Sequence, residues 1–251
     1  MPIPTCQDLW SNEQCAIPVS LNSMAVGIQG EGPCFFHTLR KSLHRVRMPA
    51  VIKWSGSKRS VAVYLRQLFP RAPCYFEPFI GGGALLPFRP CRNAVAGDII
   101  AELIELWVCI RDEPEKAAAE YEKRWRKRQD EGPAAYYAVR EAFNQTRNPH
   151  DLLFLTRTCV NGLIRFNGDG EFNNSLHHTR PGIAPHRLRQ IIRQWNTAIQ
   201  GVAFVTADYR EGLSAVVAGT SFFSTLPTRG PAADTPLRNL TSPASTKSWS
   251  V

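Results

Sequence analysis

Residues 74–83 read CYFEPFIGGG, a short apolar run that ends in consecutive glycines. A run of this length bounded by glycines predicts a buried β-strand, then a turn and the start of a helix. Residues 93–97 predict a second strand that ends at Asp98, and residues 99–110 predict a buried helix, apolar on almost every side. Strand, glycine turn, helix, strand and acid open a doubly wound α/β fold.

Helical patterns dominate the chain beyond this opening. They cover residues 115–129, 136–143 and 150–158. An apolar stripe with the spacing of an amphipathic helix follows over residues 188–199, and residues 201–206 predict a return to strand. We therefore predict an α/β core interrupted by a helical insertion. The core covers 48–110 and 181–218, and the insertion covers 111–180.

The two ends of the chain differ in composition from this centre. Residues 1–47 show no sustained period, and Met48 reads as a second beginning. The segment is either an unstructured or mis-called extension or a genuine N-terminal arm. Of the 33 residues from 219 to 251, 16 are Ser, Thr or Pro. Such a segment buries too little apolar surface to offset the entropy cost of ordering, so we expect it to be disordered.

Composition restricts the class of protein. With 251 residues, 43% of them hydrophobic, the chain is long enough for one sizeable α/β domain, and no apolar run approaches the ~20 residues of a membrane span. The net charge of +9 favours a polyanionic partner such as nucleic acid, although a basic solvated surface has the same charge. Seven cysteines without a C-x-x-C pair favour neither zinc nor a disulfide framework, and we expect a reducing cytoplasm.

The glycine turn is compatible with a nucleotide site or with a plain turn. The dinucleotide fingerprint G-x-G-x-x-G fails, because Gly81 and Gly83 are followed by Leu86. Glycines nevertheless let a backbone approach a ligand closely, and Asp98 stands where a carboxylate can accept both ribose hydroxyls of an adenosine. A tight turn with a helix-capping Asp explains these two elements equally well.

A third element lies upstream, where residues 53–58 read KWSGSK. Trp54 can cover one face of a cofactor, and Lys58 can meet a carboxylate. Each residue alone is more common in a core or on a surface. In this order and spacing with the glycine turn and Asp98, however, the set is specific for a cofactor site.

Five blocks of sequence, in one order, resemble the Dam-type (D12 class) DNA adenine-N6 methyltransferases. They are 53–58 (KWSGSK), 76–83 (FEPFIGGG), 97–99 (GDI), 136–144 (YYAVREAFN) and 157–167 (RTCVNGLIRFN). The first three blocks bind S-adenosylmethionine in this family, which implies a cofactor site at Trp54, Lys58, Phe79, Gly81, Gly83 and Asp98. The later blocks face DNA in the family, which implies DNA contacts by Arg157, Asn161, Arg165 and Asn167.

The resemblance implies a Rossmann-like S-adenosylmethionine-dependent core with a helical DNA-recognition insertion. The implied activity is site-specific methyl transfer to N6 of adenine in double-stranded DNA, as in restriction–modification, by a cytoplasmic monomer that needs no metal. The residue types in the later blocks agree with it, since Arg suits guanine and phosphate acceptors and Asn suits adenine. A polar surface loop, however, contains the same residue types.

The family's acceptor motif, Asp-Pro-Pro-Tyr, does not occur in the 251 residues. In the family its Asp and a proline carbonyl accept hydrogen bonds from the adenine amino group, and its Tyr stacks on the flipped base. Read one base out of frame, residues 224–228 (STLPT) can encode Asp-Pro-Pro-Tyr. We interpret this as a frameshift, in preference to a divergent natural tail.

The missing motif leads to three expectations. We assign no catalytic residue, we expect the C-terminal strands of the sheet to be missing, and we expect the chain as written not to methylate DNA. The main alternative function is a catalytically dead remnant that binds DNA or cofactor. A nicotinamide-dependent oxidoreductase is disfavoured by the missing third glycine of the fingerprint.

Overall fold

The computed structural model describes residues 48–69, 72–214 and 220–222. The predictions for residues 1–47 and for 223–251 lie outside these residues. A four-stranded parallel sheet forms the centre, with its strands in the spatial order β3-β2-β1-β4. The strands are β1 (Cys74–Glu77), β2 (Ala94–Asp98), β3 (Val202–Thr206) and β4 (Thr220–Phe222). The first three confirm the strands predicted from the sequence.

Strand β4 corrects part of the prediction for the C-terminal tail. We expected all of 219–251 to be disordered, but Thr220–Phe222 pairs in parallel with β1, with Cys74 opposite Thr220 and Phe76 opposite Phe222. Thr and Phe have high β propensity, and the backbone groups of β1 on that side need partners. Three tail residues are therefore ordered by the sheet itself.

Seven α-helices occur in the described residues. They are α1 (Ala62–Leu65), α2 (Ala101–Asp112), α3 (Pro114–Glu131), α4 (Pro133–Thr146), α5 (Pro149–Thr158), α6 (Pro185–Ala198) and α7 (Tyr209–Ser214). Helices α3 to α6 each begin at a proline, whose fixed φ and missing N–H suit the first position of a helix. The long helices confirm those predicted from the hydrophobic period.

The predicted helix directly after the glycine turn is wrong. Residues 81–85 form bends and turns, followed by a single 3-10 turn at Leu86–Phe88. Gly81 and Gly83 adopt φ of 45° and 61°, outside the right-handed helical region. Pro87 then removes a backbone donor, so no α-helix can propagate there.

One hydrophobic core joins the sheet to the helices. Trp107 of α2 lies 5.0 Å from Trp195 of α6, centroid to centroid, and both side chains are fully buried. Nine of the ten residues of α5 are buried, including the polar Asp151 and Arg157. The helices between 111 and 180 therefore pack into the same core as α2 and α6.

Among the described cysteines, Cys91, Cys109 and Cys159 are buried and not disulfide-bonded. Cys74, on β1, is disulfide-bonded. The sequence analysis favoured no disulfide framework and did not foresee this bond. Within the described part of the chain, no helix is long and apolar enough to cross a membrane.

Candidate functional site

The glycine turn after β1 is covered by Trp54. A Cβ atom on Gly81 would lie 2.7 Å from Trp54 Cδ1, and one on Gly82 would lie 3.0 Å from Trp54 Cβ. Because real Cβ atoms do not approach to 2.7 Å, only glycine at position 81 lets the ring lie on this turn. The 53–58 segment and the glycine turn, which the sequence only placed in order, are therefore in direct contact.

Gly83 packs against two buried tryptophans of the hydrophobic core. A Cβ atom there would lie 2.7 Å from Trp107 Cζ2 and 3.3 Å from Trp195 Cζ3. Trp107 Nε1 also donates to the carbonyl oxygen of Gly81 at 3.0 Å. The buried tryptophans of α2 and α6 thus fix the conformation of the turn from behind.

Asp98, at the end of β2, ties the turn to the sheet. Its Oδ2 accepts a hydrogen bond from the Gly81 N–H at 3.1 Å, and its Oδ1 accepts from the Ile100 N–H at 3.3 Å. Burial raises the pKa of Asp98 to about 6, while the backbone donors oppose that rise. At neutral pH the group is an ionised carboxylate with lone pairs left for further donors.

Sequence reasoning missed Glu77, the last residue of β1. It is 3% exposed, and the Tyr75 hydroxyl donates to its Oε2 at 3.2 Å. Burial, together with the negative charge of Asp98, raises the pKa of Glu77 to about 8. The carboxyl is therefore protonated at neutral pH, and the ends of β1 and β2 carry one negative charge where the sequence shows two acids.

The end of β3 contributes a second residue that the sequence analysis missed. The Tyr209 ring lies 5.4 Å from that of Phe79, centroid to centroid, at 35° between their planes. The Ala207 N–H donates to the backbone oxygen of Asp98 at 3.1 Å, so the carboxyl ends of three strands converge. The available signal was the position of Asp208 and Tyr209 directly after a predicted strand.

Lys58 is oriented toward its own loop. Its Nζ donates to the Gly56 oxygen at 3.1 Å, beside Ser57, whose Oγ lies 3.9 Å from a Cβ placed on Gly82. The structure therefore brings together Trp54, Gly81 and Asp98 directly and holds Phe79 against Tyr209. Lys58 lies on the loop that covers the turn, with its ammonium engaged locally.

A basic pocket of about 610 Å³ forms the second part of the site. Its charged and titratable lining residues are Lys53, Arg157, Arg180, His186 and Arg187. None of its lining residues, all of which are described, is acidic. Lys53 directly precedes the tryptophan that covers the glycine turn, so the pocket begins next to the candidate cofactor site.

Arg157 is the most buried cation of this pocket, at 8% exposure. Its Nε has no hydrogen-bond partner within the described part of the chain. Burial lowers the pKa of Arg157, and burial together with Arg157 and Arg180 lowers the pKa of Lys53. A buried cation that has an unpaired donor and lies near other cations is stabilised by an anion.

The other predicted DNA contacts lie on the segment after α5. Asn161 (φ 56°) and Arg165 are exposed, and Arg165 Nε donates to Asn173 Oδ1 at 3.0 Å. Asn167 instead shapes a turn, because its Oδ1 accepts from the N–H groups of Asp169 and Glu171 at 3.1 and 2.8 Å. The sequence could not distinguish a free amide from one engaged in a turn.

A small parallel sheet, many helices and a glycine turn beside acidic strand ends form a mixed α/β architecture consistent with a methyltransferase fold. The chain belongs to the D12 class of N6 adenine-specific DNA methyltransferases, whose family model matches residues 54–223.

Three relatives illustrate the similarity. The DNA adenine methylase of Serratia marcescens is 27% identical over 183 residues, which cover 68% of this chain and 63% of that protein. The DNA adenine methylase of Escherichia coli K12 is 31% identical over 131 residues, 49% of this chain and 46% of that protein. The DNA N-6-adenine-methyltransferase of Escherichia phage P1 is 30% identical over 129 residues, 49% of this chain and 17% of that protein. The chain thus spans less than two thirds of each relative.

Proposed function

We propose that this protein, read in the frame that contains Asp-Pro-Pro-Tyr, transfers a methyl group from S-adenosylmethionine to N6 of adenine in duplex DNA. The observation that carries the proposal is the convergence of the first three sequence blocks. The Trp54 ring covers Gly81, and the Gly81 N–H donates to Asp98, at the carboxyl ends of β1 and β2. These residues belong to the blocks through which the D12 class resembles this chain, and they occupy one place.

We further propose a Rossmann-like core. The spatial order β3-β2-β1-β4 corresponds to the first four strands of the doubly wound order 3-2-1-4-5-6. Ligands of such sheets bind beyond the carboxyl ends of the strands at the switch point. The glycine turn leaves β1 at that switch point. Helices α3 to α5 lie between the helix that follows β2 and the helix that precedes β3, which supports a helical insertion.

S-adenosylmethionine fits the chemistry of the first site. Asp98 Oδ2 accepts the Gly81 N–H and Oδ1 accepts the Ile100 N–H, and the carboxylate has further lone pairs for ribose hydroxyls. Trp54, Phe79 and Tyr209 offer aromatic surface for the adenine and the methionine chain. Lys58, released from the Gly56 oxygen, would meet the cofactor's carboxylate. When bound, the cofactor supplies an electrophilic methyl group on a positively charged sulfur.

Duplex DNA fits the basic pocket and the segment after it. A phosphate would satisfy the unpaired Arg157 Nε and relieve the repulsion among Lys53, Arg157 and Arg180. Asn161 and Arg165, exposed on the same segment, would lie against the groove. A DNA substrate implies that the protein works in the cytoplasm, and we propose that it acts as a monomer.

Calorimetry tests the cofactor assignment. We expect S-adenosylmethionine to bind the wild-type protein and nicotinamide dinucleotides to give no heat. Lys58→Ala and Asp98→Ala should each weaken the binding of S-adenosylmethionine, because each removes one polar group that would contact the cofactor. Unchanged affinity in both variants would refute the assignment of this site, and binding of a nicotinamide dinucleotide instead would identify an oxidoreductase.

A second candidate function is a binding remnant without turnover. The observation that favours it is the lack of Asp-Pro-Pro-Tyr in the 251 residues, since adenine N6 is a poor nucleophile without acceptors for its protons. Transfer of tritiated methyl groups into duplex DNA separates the two functions. Binding of cofactor and DNA without transfer, both by the chain as written and by a version with the alternative frame restored, identifies the remnant.

A further inference from the structure

Arg165 and Asn173 form a pair across the hairpin at residues 165–173. The Asn173 N–H donates to the backbone oxygen of Arg165 at 3.1 Å, and Arg165 Nε donates to Asn173 Oδ1 at 3.0 Å. The guanidinium is planar, so a fixed Nε together with a fixed backbone sets the direction of the whole group. Nη1 and Nη2 then remain as two parallel donors at the exposed end of the side chain.

Contacts other than the side-chain bond between Arg165 and Asn173 stabilise this hairpin. Phe166 bridges to Phe172, with their rings 6.0 Å apart and nearly perpendicular. Phe172 is 1% exposed, and Asn144 of α4 accepts its N–H at 2.8 Å and donates to its oxygen at 3.2 Å. Arg147 Nη2 donates to the Gly170 oxygen at 2.7 Å. The side-chain bond between Arg165 and Asn173 is therefore free to serve orientation.

We propose that Asn173 is a positioning residue that orients Arg165 for end-on recognition of a base edge with two acceptors. The inference rests on the proposed function, since it assumes that this hairpin faces DNA. Guanine presents O6 and N7 in the major groove, and two parallel N–H donors match that pair. With Nε already occupied, Arg165 approaches only through Nη1 and Nη2, and fewer rotamers must be frozen on binding.

A phosphate contact, a purely structural role and a positioning role of Asn173 differ in what the loss of its side chain does to DNA binding. If Asn173 touched a phosphate, its loss would weaken all duplexes alike, because phosphate contacts carry no sequence information. If it only supported the hairpin, its loss would lower stability and leave selectivity unchanged. A positioning role instead predicts loss of selectivity at the one base pair that Arg165 reads.

The experiment selects duplexes from a pool with a randomised central segment and compares wild type, Arg165→Ala, Asn173→Ala and Asn173→Asp. We expect Arg165→Ala to lose roughly tenfold to a hundredfold discrimination at one base pair. Asn173→Ala should lose selectivity at the same position. A double variant that combines Arg165→Ala with Asn173→Ala should lose no more than Arg165→Ala alone. Asn173→Asp keeps the acceptor oxygen and should restore the selected base, even if added negative charge weakens overall binding.

A second measurement follows Arg165 without DNA. The Arg165 Nε–H resonance, assigned by its loss in Arg165→Ala, should exchange slowly with solvent in the wild type and in Asn173→Asp. It should exchange rapidly in Asn173→Ala. Asn148→Ala is the control, because Asn148 caps α5 by accepting the His150 N–H at 2.9 Å and lies outside the hairpin. It should lower stability without changing the selected bases.

Three outcomes would overturn the inference. In one, Asn173→Ala weakens every duplex equally and keeps the selected base. In another, it leaves both the selected base and the slow Nε–H exchange intact. In the third, the wild type binds S-adenosylmethionine but selects no base at all. That result removes the assumed DNA recognition, and with it the inference, while leaving the cofactor site standing.

Discussion

The candidate cofactor site and the candidate DNA face are built by opposite means. The first is made of glycines and acids at strand ends, and backbone contacts such as Gly81 N–H to Asp98 fix it at 3.1 Å. The second is made of arginines on helices and loops, and side-chain contacts such as the bond from Arg165 to Asn173 set its geometry. A site fixed by backbone tolerates few changes, whereas a site fixed by side chains can be retuned residue by residue.

The largest expected effect concerns the acceptor motif Asp-Pro-Pro-Tyr, which belongs to neither region. We expect no tritiated methyl transfer into adenine from the chain as written, because positioned donor and duplex cannot replace the acceptors around N6. A gene version with one base inserted or deleted near codon 219, which reads Asp-Pro-Pro-Tyr across residues 224–228, should transfer methyl groups. Robust transfer by the unaltered chain would contradict both the frameshift interpretation and the expected inactivity.

The rigidity of the cofactor site predicts a large effect of Gly81→Ala. The new Cβ would lie 2.7 Å from the Trp54 ring, and the φ of 45° costs a residue with a side chain about 1–2 kcal/mol. We expect S-adenosylmethionine affinity to fall more than tenfold, measured by calorimetry. Gly168→Ala in the hairpin is the matched control, since a Cβ there meets nothing within 4 Å. Equal effects of the two substitutions would show that the cofactor site does not depend on the close contact between Gly81 and Trp54.

A smaller effect is expected from single changes in the basic pocket. Arg187→Ala should weaken duplex binding several-fold and reduce the slope of log affinity against log salt by about 0.9, the value for one lost phosphate contact. Arg193→Ala, on the same helix, is the control because Arg193 is ion-paired with Glu115 at 2.6 Å outside the pocket. An unchanged slope in Arg187→Ala would remove that residue from the DNA face.

The smallest effect is on stability and concerns Glu77. Its pKa in the folded state is about 8, above the ordinary value of 4.5. Between pH 4.5 and pH 8 the folded state therefore binds more protons than the unfolded state. Stability therefore falls as pH rises through about 8, by about 1 kcal/mol between pH 7 and 9. Glu77→Gln should remove this loss, seen as a Tm that drops roughly 2–4 °C less than that of the wild type. Identical pH profiles for the two proteins would show that Glu77 does not titrate in this range.

Sequence patterns predicted the framework better than the chemistry of individual side chains. β1 to β3 and the long helices follow directly from hydrophobic period and glycine or proline boundaries, which are local properties. The helix expected after the glycine turn failed because Gly81 and Gly83 pack against tryptophans that come from distant segments. The prediction of a disordered tail was wrong for β4, because pairing with β1 orders these residues and their own composition does not show it.

The same limit applies to the site. The order and spacing of the sequence blocks predicted Trp54, Gly81 and Asp98, since a glycine turn and an acid at strand ends can be recognised from the sequence. Spacing could not show that Glu77 is protonated or that Asn167 is engaged within its own turn. Burial and hydrogen-bond partners decide both, and these depend on segments far away in the chain.

The register of the sheet also sets an order for its assembly during synthesis. β1 and β2 are close in the chain, but Ala94 pairs with Val202, so β3 can join only after helices α2 to α6 have left the ribosome. The sheet therefore grows outward from its centre, with β3 added on one side and β4 on the other. A nascent chain holds Trp54, Gly81 and Asp98 before any arginine of the DNA face has been translated.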